Sequence, residues 1–215
     1  MLDFLFLLPI GSSISGKLIP QLLNLKTWCN KHNSDILTVT GMPHNFARNF
    51  LATGGKGFDN PTPPDAKWVI WIDSDIVFSI EQLELLIRID HPFVCGWYVS
   101  DDSDSAMCGN WDVDYFMIHR TMPFLKKSEL IRMAIENPNK LVEVSYSGMG
   151  FMKIRRDVIG RMTYPYFELR HVSIGGKQDL SSEDVSFCLK CFEETGIKPV
   201  ICPALRVGHL KDRVL

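Results

Sequence analysis

The run Trp68-Val69-Ile70-Trp71-Ile72 constrains this chain most, because five apolar residues in a row end abruptly in Asp73-Ser74-Asp75. A β-favouring run without polar alternation reads as a strand buried inside a sheet. Its neighbours fit that reading. Phe4 to Leu8 and Ile36 to Thr40 read as strands, and Gly41 stops the second. Leu18, Leu22, Leu25 and Trp28 recur at helical spacing, and Phe46 to Ala52 reads as a short helix. Residues 53–65 are rich in Gly and Pro and read as a loop. Ser79 with Gln82 forms a capping-box pattern ahead of Leu83, Leu86 and Ile87, and Phe93 to Val99 is a further strand. Strands alternating with helices imply βαβ units and a parallel sheet in the first half.

The second half is more mixed. The pattern predicts an acidic loop over 100–114 around Trp111, then a strand from Tyr115 to Ile118. A helix from Ser128 to Glu136 is stopped by Pro138, and strands follow at Leu141–Tyr146 and Gly150–Ile154. Residues 163–181 read as a loop. Ser181 is the expected cap of a helix whose face is Val185, Cys188, Leu189 and Phe192, and Pro199 to Cys202 is the expected last strand. The expected fold class is α/β: one Rossmann-like domain over 1–215, with a mixed, mostly parallel central sheet flanked by helices.

Charge excludes two classes of function. Lys plus Arg number 23 and Asp plus Glu 25, a net charge of −2, so bulk charge draws the chain neither to nucleic acid nor into acidic disorder. The six cysteines sit mostly inside apolar segments and read as reduced, buried side chains. Leu2 to Leu8 carries Asp3, ends at Pro9 and lacks a basic leader, so it fits a first strand better than a signal peptide. No apolar run approaches the roughly 18 residues of a membrane span. The expected location is cytoplasmic.

Asp73 and Asp75 stand at the carboxyl end of a buried strand, where open α/β sheets bind ligands. Two carboxylates this close repel unless a cation intervenes, and a hard divalent cation is the natural one. The pairs Asp102-Ser103-Asp104 and Asp112-Val113-Asp114 lie in a polar stretch and read as solvated. Glu183 and Asp184 begin a helix, where acids offset the dipole, or where Asp184 would serve a cleft as general base beside Glu183. His209 follows a strand and Gly208 and would add a nitrogen to a cation at Asp75; Lys211 would meet a phosphate. Arg48 reads as a helix-start residue for a phosphate or a base edge, or as a surface Arg. Thr53-Gly54-Gly55-Lys56-Gly57 lacks the Lys-Ser/Thr ending of a phosphate loop. Cys188 and Cys191 with Cys202 and His209 read as core rather than a zinc set. Trp97 and Tyr98 are either core or a platform for a sugar ring.

In order, the pieces are Leu7-Leu8-Pro9-Ile10-Gly11, Ala47-Arg48-Asn49, Trp71-Ile72-Asp73-Ser74-Asp75, Cys95-Gly96-Trp97-Tyr98, Gly148-Met149-Gly150-Phe151-Met152 with Arg155-Arg156, Ser182-Glu183-Asp184-Val185-Ser186-Phe187 and Val207-Gly208-His209. This ordered set, spanning nearly the whole chain, resembles the GT-A-fold glycosyltransferases related to the large family 2 group. Small enzymes of that kind occur in phages and large DNA viruses, chlorovirus capsid-glycan transferases among them. The resemblance implies a metal-dependent transfer of sugar from a nucleoside-diphosphate sugar, UDP-sugar favoured, to a hydroxyl of a glycan or glycoprotein. About 1–100 would form the nucleotide-sugar half and 101–215 the acceptor half.

The resemblance also implies roles. Pro9, Ile10, Gly11, Ser12, Arg48 and Asn49 would hold the nucleotide. Asp73 would bind ribose or a metal-bound water, with Ser74 beside it. Asp75 and His209 would ligate Mn²⁺ or Mg²⁺ at the diphosphate, helped by Lys211. Trp97, Tyr98, Gly148, Met149 and Gly150 would line the sugar and acceptor side, and Asp184 would face the acceptor hydroxyl beside Glu183. Thr38-Val39-Thr40-Gly41 stands where many members carry a base-gripping acidic pair. No nucleic-acid partner and no membrane span are expected, and the chain is either this domain alone or part of a longer multidomain polypeptide. A haloacid-dehalogenase-like phosphatase would use Asp73 and Asp75 differently, but that family carries its motif on the first core strand, and here at least two strands precede it. A sugar-nucleotide-binding domain without turnover is the non-enzymatic rival.

Overall fold

The apolar runs of the first half become the centre of one seven-stranded sheet. The computed structural model describes residues 1–100 and 104–210; Lys211 and the Asp102-Ser103 part of the second acidic pair lie outside them. In chain order the first half is β1 (Leu2–Ile10), α1 (Ile19–Lys31), β2 (Ser34–Thr40), α2 (His44–Ala52), β3 (Ala66–Ile72), β4 (Ile76–Val77), α3 (Ile80–Arg88) and β5 (Phe93–Trp97). The capping box forms, Ser79 and Gln82 each bonding the other's backbone N–H. The second half is β6 (Ser105–Gly109), α4 (Val113–His119), β7 (Phe124–Lys126), α5 (Lys127–Glu136), β8 (Val142–Glu143), β9 (Tyr146–Ser147), β10 (Phe151–Arg155), α6 (Arg156–Gly160), β11 (Arg170–Ile174), β12 (Lys177–Ser181), α7 (Glu183–Thr195), β13 (Val200–Arg206) and β14 (Gly208–His209).

The main sheet runs β2-β1-β3-β10-β5-β13-β8. β2, β1 and β3 are parallel, as are β5 and β13, while β10 and β8 run against their neighbours. The expected α/β class and mostly parallel sheet therefore stand. Alternate residues of β3 feed opposite faces. Trp71 enters the layer with Phe167 and Phe187, whose rings stack 4.4 Å apart. Ile70 and Ile72 enter the layer with Phe6, Phe78 and Phe151. Lys153 in β10 is buried, and its Nζ donates to the carbonyls of Ile87 (3.0 Å) and Ile89 (2.6 Å) at the end of α3.

Several expectations change in the second half, each for a local reason. Residues 115–118 are helical rather than a strand, because the Asp112 carboxylate caps the Tyr115 N–H at 2.9 Å and starts α4. Asp104 is likewise a cap: it accepts from Ser128 N (2.9 Å) and Oγ (2.7 Å), so Ser128 lies just inside α5. The 100–114 stretch contains β6, which pairs with β7 and β9 in a separate three-stranded sheet. Leu141–Tyr146 divides between two sheets as β8 and β9. The 163–181 loop holds the β11–β12 hairpin, turned by Gly175 and Gly176 at φ 57° and 79°. Ser182, not Ser181, stands at the start of α7, and Ser181 Oγ instead bonds Ser186 Oγ at 2.6 Å. Phe192 is exposed, and Phe187 and Cys191 join Cys188 on the buried face. β13 continues to Arg206, and β14 follows it.

All six cysteines are buried and unpaired. Burial pushes the thiols of Cys29 and Cys191 up to about 11 and that of Cys108 up to about 12. At pH 8 the folded protein is expected to leave a thiol reagent such as DTNB almost unreacted, while the same protein in denaturant releases colour for six thiols. Rapid native labelling of several cysteines would contradict this packing.

Candidate active site

β1, β2 and β3 end at one edge of the sheet. Pro9 and Ile10 close β1, Gly11 and Ser12 follow, and the Gly41 N–H reaches the carbonyls of Ile10 (3.3 Å) and Gly11 (3.2 Å). β3 delivers Asp73 and Asp75 beside them, with the Asp73 N–H tied to the Gly150 carbonyl at 2.9 Å.

The two carboxylates part company there. Asp73 turns inward, its side chain 14% exposed, and Arg48 Nη2 donates to both of its oxygens at 3.0 and 2.8 Å. Arg48 is in the middle of α2 rather than at its start and is 3% exposed. Its Nε lies 3.9 Å from Glu183 Oε1, and its guanidinium lies 5.9 Å from the centre of the Phe167 ring. Burial lowers the Arg48 pKa, but the carboxylates of Asp73, Asp184 and Glu183 together hold it above its ordinary value. One buried cation therefore joins carboxylates from both halves of the chain. Nε and Nη1 of Arg48 have no hydrogen-bond partner.

Asp75 turns outward, its side chain half exposed, and meets His209: Asp75 Oδ2 and His209 Nε2 are 3.0 Å apart. Burial raises the Asp75 pKa, and the His209 contact outweighs it and holds the carboxyl below the usual range. β14 pairs antiparallel with β4, placing His209 opposite Ile76, and the Leu210 N–H bonds the Asp75 carbonyl at 2.7 Å. Among the described residues no three His, Cys, Asp or Glu side chains converge as a metal cage. Asp75 and His209 are instead a mixed oxygen–nitrogen pair, suited to a divalent ion that completes its shell from a ligand and water. Asp73, expected among the metal ligands, is engaged by Arg48.

At the start of α7 the Ser182 hydroxyl donates to Asp184 Oδ1, and the Val185 N–H reaches the same oxygen at 3.1 Å. Ser182 and Asp184 line a cleft of about 330 Å³ walled by Met107, Trp111, Phe116 and Phe124.

Other expected site residues have structural partners. Asn49 is not open to a nucleotide: its amide donates to the Phe167 carbonyl (2.5 Å) and accepts from the Phe167 N–H (2.9 Å), which ties 164–169 to α2. Trp97 is 1% exposed and donates through Nε1 to the Pro203 carbonyl at 2.8 Å, so it is core and no sugar platform. Met149 is fully buried. Gly148 and Gly150 pass against Tyr98, and the Gly150 N–H donates to the Tyr98 hydroxyl at 3.3 Å. A Cβ at Gly150 would sit 2.8 Å from Ile76 and 3.0 Å from the Tyr98 hydroxyl, so the close approach requires glycine. The Tyr98 ring lies 5.1 Å from the His209 ring, which keeps it at the site.

Gln21 escaped the sequence reading, because a single polar residue on an amphipathic helix carries no signal. From α1 its amide donates to the Ile76 carbonyl (2.6 Å) and accepts from the Phe78 N–H (3.2 Å), clamping the backbone that follows Asp75. Gln21→Leu is expected to speed hydrogen exchange at the Phe78 amide about five-fold, the size of one hydrogen bond worth about 1 kcal/mol, with little change in Tm. Unchanged exchange there would remove the clamp.

No protein-family model matches the chain, and no curated protein matches it in sequence. Solved structures do resemble it. A197 from STIV superposes with a TM-score of 0.60 at 18% identity over 98% of this chain and 87% of its own. GalNAc-T7, solved with UDP, GalNAc and Mn²⁺, superposes with a TM-score of 0.51 at 12% identity over 98% of this chain and 44% of its own. Identities this low establish architecture alone: the chain has a GT-A-like α/β fold.

Proposed function

We propose that this protein is a glycosyltransferase that moves a sugar from a nucleoside-diphosphate sugar, UDP-sugar by preference, to a hydroxyl of a glycan or glycoprotein. The observation that carries the reading is the pairing of Asp75 with His209 at the strand ends, with Arg48 linking Asp73 to the Glu183 and Asp184 side of the site. The likeness to a structure holding UDP and Mn²⁺ supports it. Residues from about 1 to 100 would mainly serve the donor and those from about 101 to 215 mainly the acceptor, with His209 returning to the donor side.

Asp75 and His209 would hold Mn²⁺ or Mg²⁺, which when bound neutralises the charge growing on the departing diphosphate. Asp73, ion-paired with Arg48, would bind ribose or a metal-bound water, and Pro9 to Ser12 would border the nucleotide. Asp184, oriented by Ser182, takes the proton from the acceptor hydroxyl as it attacks. A phosphatase of the rival family would carry Asp73 and Asp75 on its first core strand, whereas β1 and β2 precede β3 here. Among the described residues no helix is long and apolar enough to cross a membrane. Six buried thiols suit a reducing, cytoplasmic setting.

A panel of UDP-sugars with Mn²⁺ tests the reading. Turnover with one donor should be abolished by EDTA and restored by Mn²⁺. Asp75→Ala should reduce it at least 100-fold. Asp184→Asn should lower kcat by a similar factor while UDP–Mn²⁺ affinity stays within about three-fold. Full activity in Asp75→Ala would sink the assignment, and donor binding without transfer would favour a silent binding domain.

A further inference from the structure

The cleft beside Asp184 is assembled from separate parts of the second half. β6 gives Met107, α4 and its approach give Phe116 and Trp111, β7 gives Phe124, β9 gives Tyr146, and α7 gives Val185. Its polar groups are Ser182 and Asp184 at the start of α7, Arg120 and Thr121 after α4, and the tips of Trp111 and Tyr146; the rest of the wall is apolar. Ser182 already spends its hydroxyl on Asp184. Tyr146 on the wall is 4% exposed, its hydroxyl has no hydrogen-bond partner, and burial pushes its pKa up.

A wall this largely apolar favours some occupants over others. A sugar ring buried here would bring several hydroxyls to walls of methionine, phenylalanine and valine. Each hydroxyl left without a partner costs about 1–3 kcal/mol. An aromatic ring or alkyl chain meets no such cost and gains from contact with aromatic and thioether side chains. Asp184 sets the orientation, because the hydroxyl that reacts must lie at its carboxylate. We infer that the glycan or glycoprotein acceptor presents an apolar group, an aryl ring or alkyl chain, next to its reacting hydroxyl, and that this cleft holds that group rather than the sugar ring itself. The inference deepens the transferase reading and rests on it for the role of Asp184, whereas the apolar preference of the cleft rests on its walls alone.

Calorimetric titration of the whole protein with phenyl β-D-glucoside and with methyl β-D-glucoside tests it, the sugar serving only as a shared polar handle. The phenyl compound is expected to bind at least ten-fold more tightly, with a more negative heat-capacity change. Phe116→Ser and Val185→Asn should each erase most of that difference. Equal affinity for the two glucosides, no binding of either, or a phenyl preference unchanged in both variants would overturn the inference. UDP–Mn²⁺ titration of the same samples keeps the two readings apart. Loss of donor binding with the phenyl preference intact would count against the transferase alone.

Discussion

The buried guanidinium of Arg48 is the interaction on which the rest of the site depends. It lies on a helix of the first half, neutralises Asp73 at the end of the central strand, and sits within 3.9 Å of Glu183 on the last helix. A buried carboxylate stripped of such a partner costs about 3–5 kcal/mol. The pair therefore does more than adjust charge. It ties α2 to the end of β3 and brings the start of α7 within ion-pair range, and it engages Asp73 while its neighbour Asp75 meets His209. Asn49, one residue on, repeats the logic with an uncharged group by binding the backbone of Phe167 at both ends of its amide.

On the solvent side of this anchor the site is held mainly by backbone. Asp75 lies just before a two-residue strand, β4, too short to persist alone. β14 pairs with it on one side, and Gln21 clamps it from α1. Gln82 adds a bond from its amide to the Arg206 carbonyl. The segment 148–150 runs against Tyr98 so closely that glycine is required, and in doing so supplies the carbonyl that holds the Asp73 N–H. Asp75 and His209, 134 residues apart in sequence, meet because these bonds bring β13 and β14 back past the end of β3.

The legible parts of the chain share a cause. β3, α1, α3 and the capping box rest on interactions within a few residues, so periodicity and spacing report them. The errors share a cause as well. Residues 115–118 look like a strand by composition, yet one carboxylate, Asp112, caps them into a helix. Asp104 is exposed, as the polar stretch around it suggested, but spacing could not show that it also holds Ser128, 24 residues away. Trp97 could not be told from a platform, because a tryptophan at a strand end serves either role, and only the Pro203 carbonyl decides it.

By itself, then, the sequence determined the class of fold: an unbroken apolar strand that ends in carboxylates fits interior sheet with a polar edge. The order of motifs also pointed to Asp75, His209 and Asp184. Tertiary structure decided what those groups touch. It committed Asp73 to Arg48, Asn49 to Phe167 and Trp97 to the core, and it raised a largely apolar cleft beside Asp184 from five separate strands and helices. The division follows from range. Hydrophobic patterning and capping act over a few residues and leave a local signature, whereas the pairing of a buried charge depends on which distant segment packs against it.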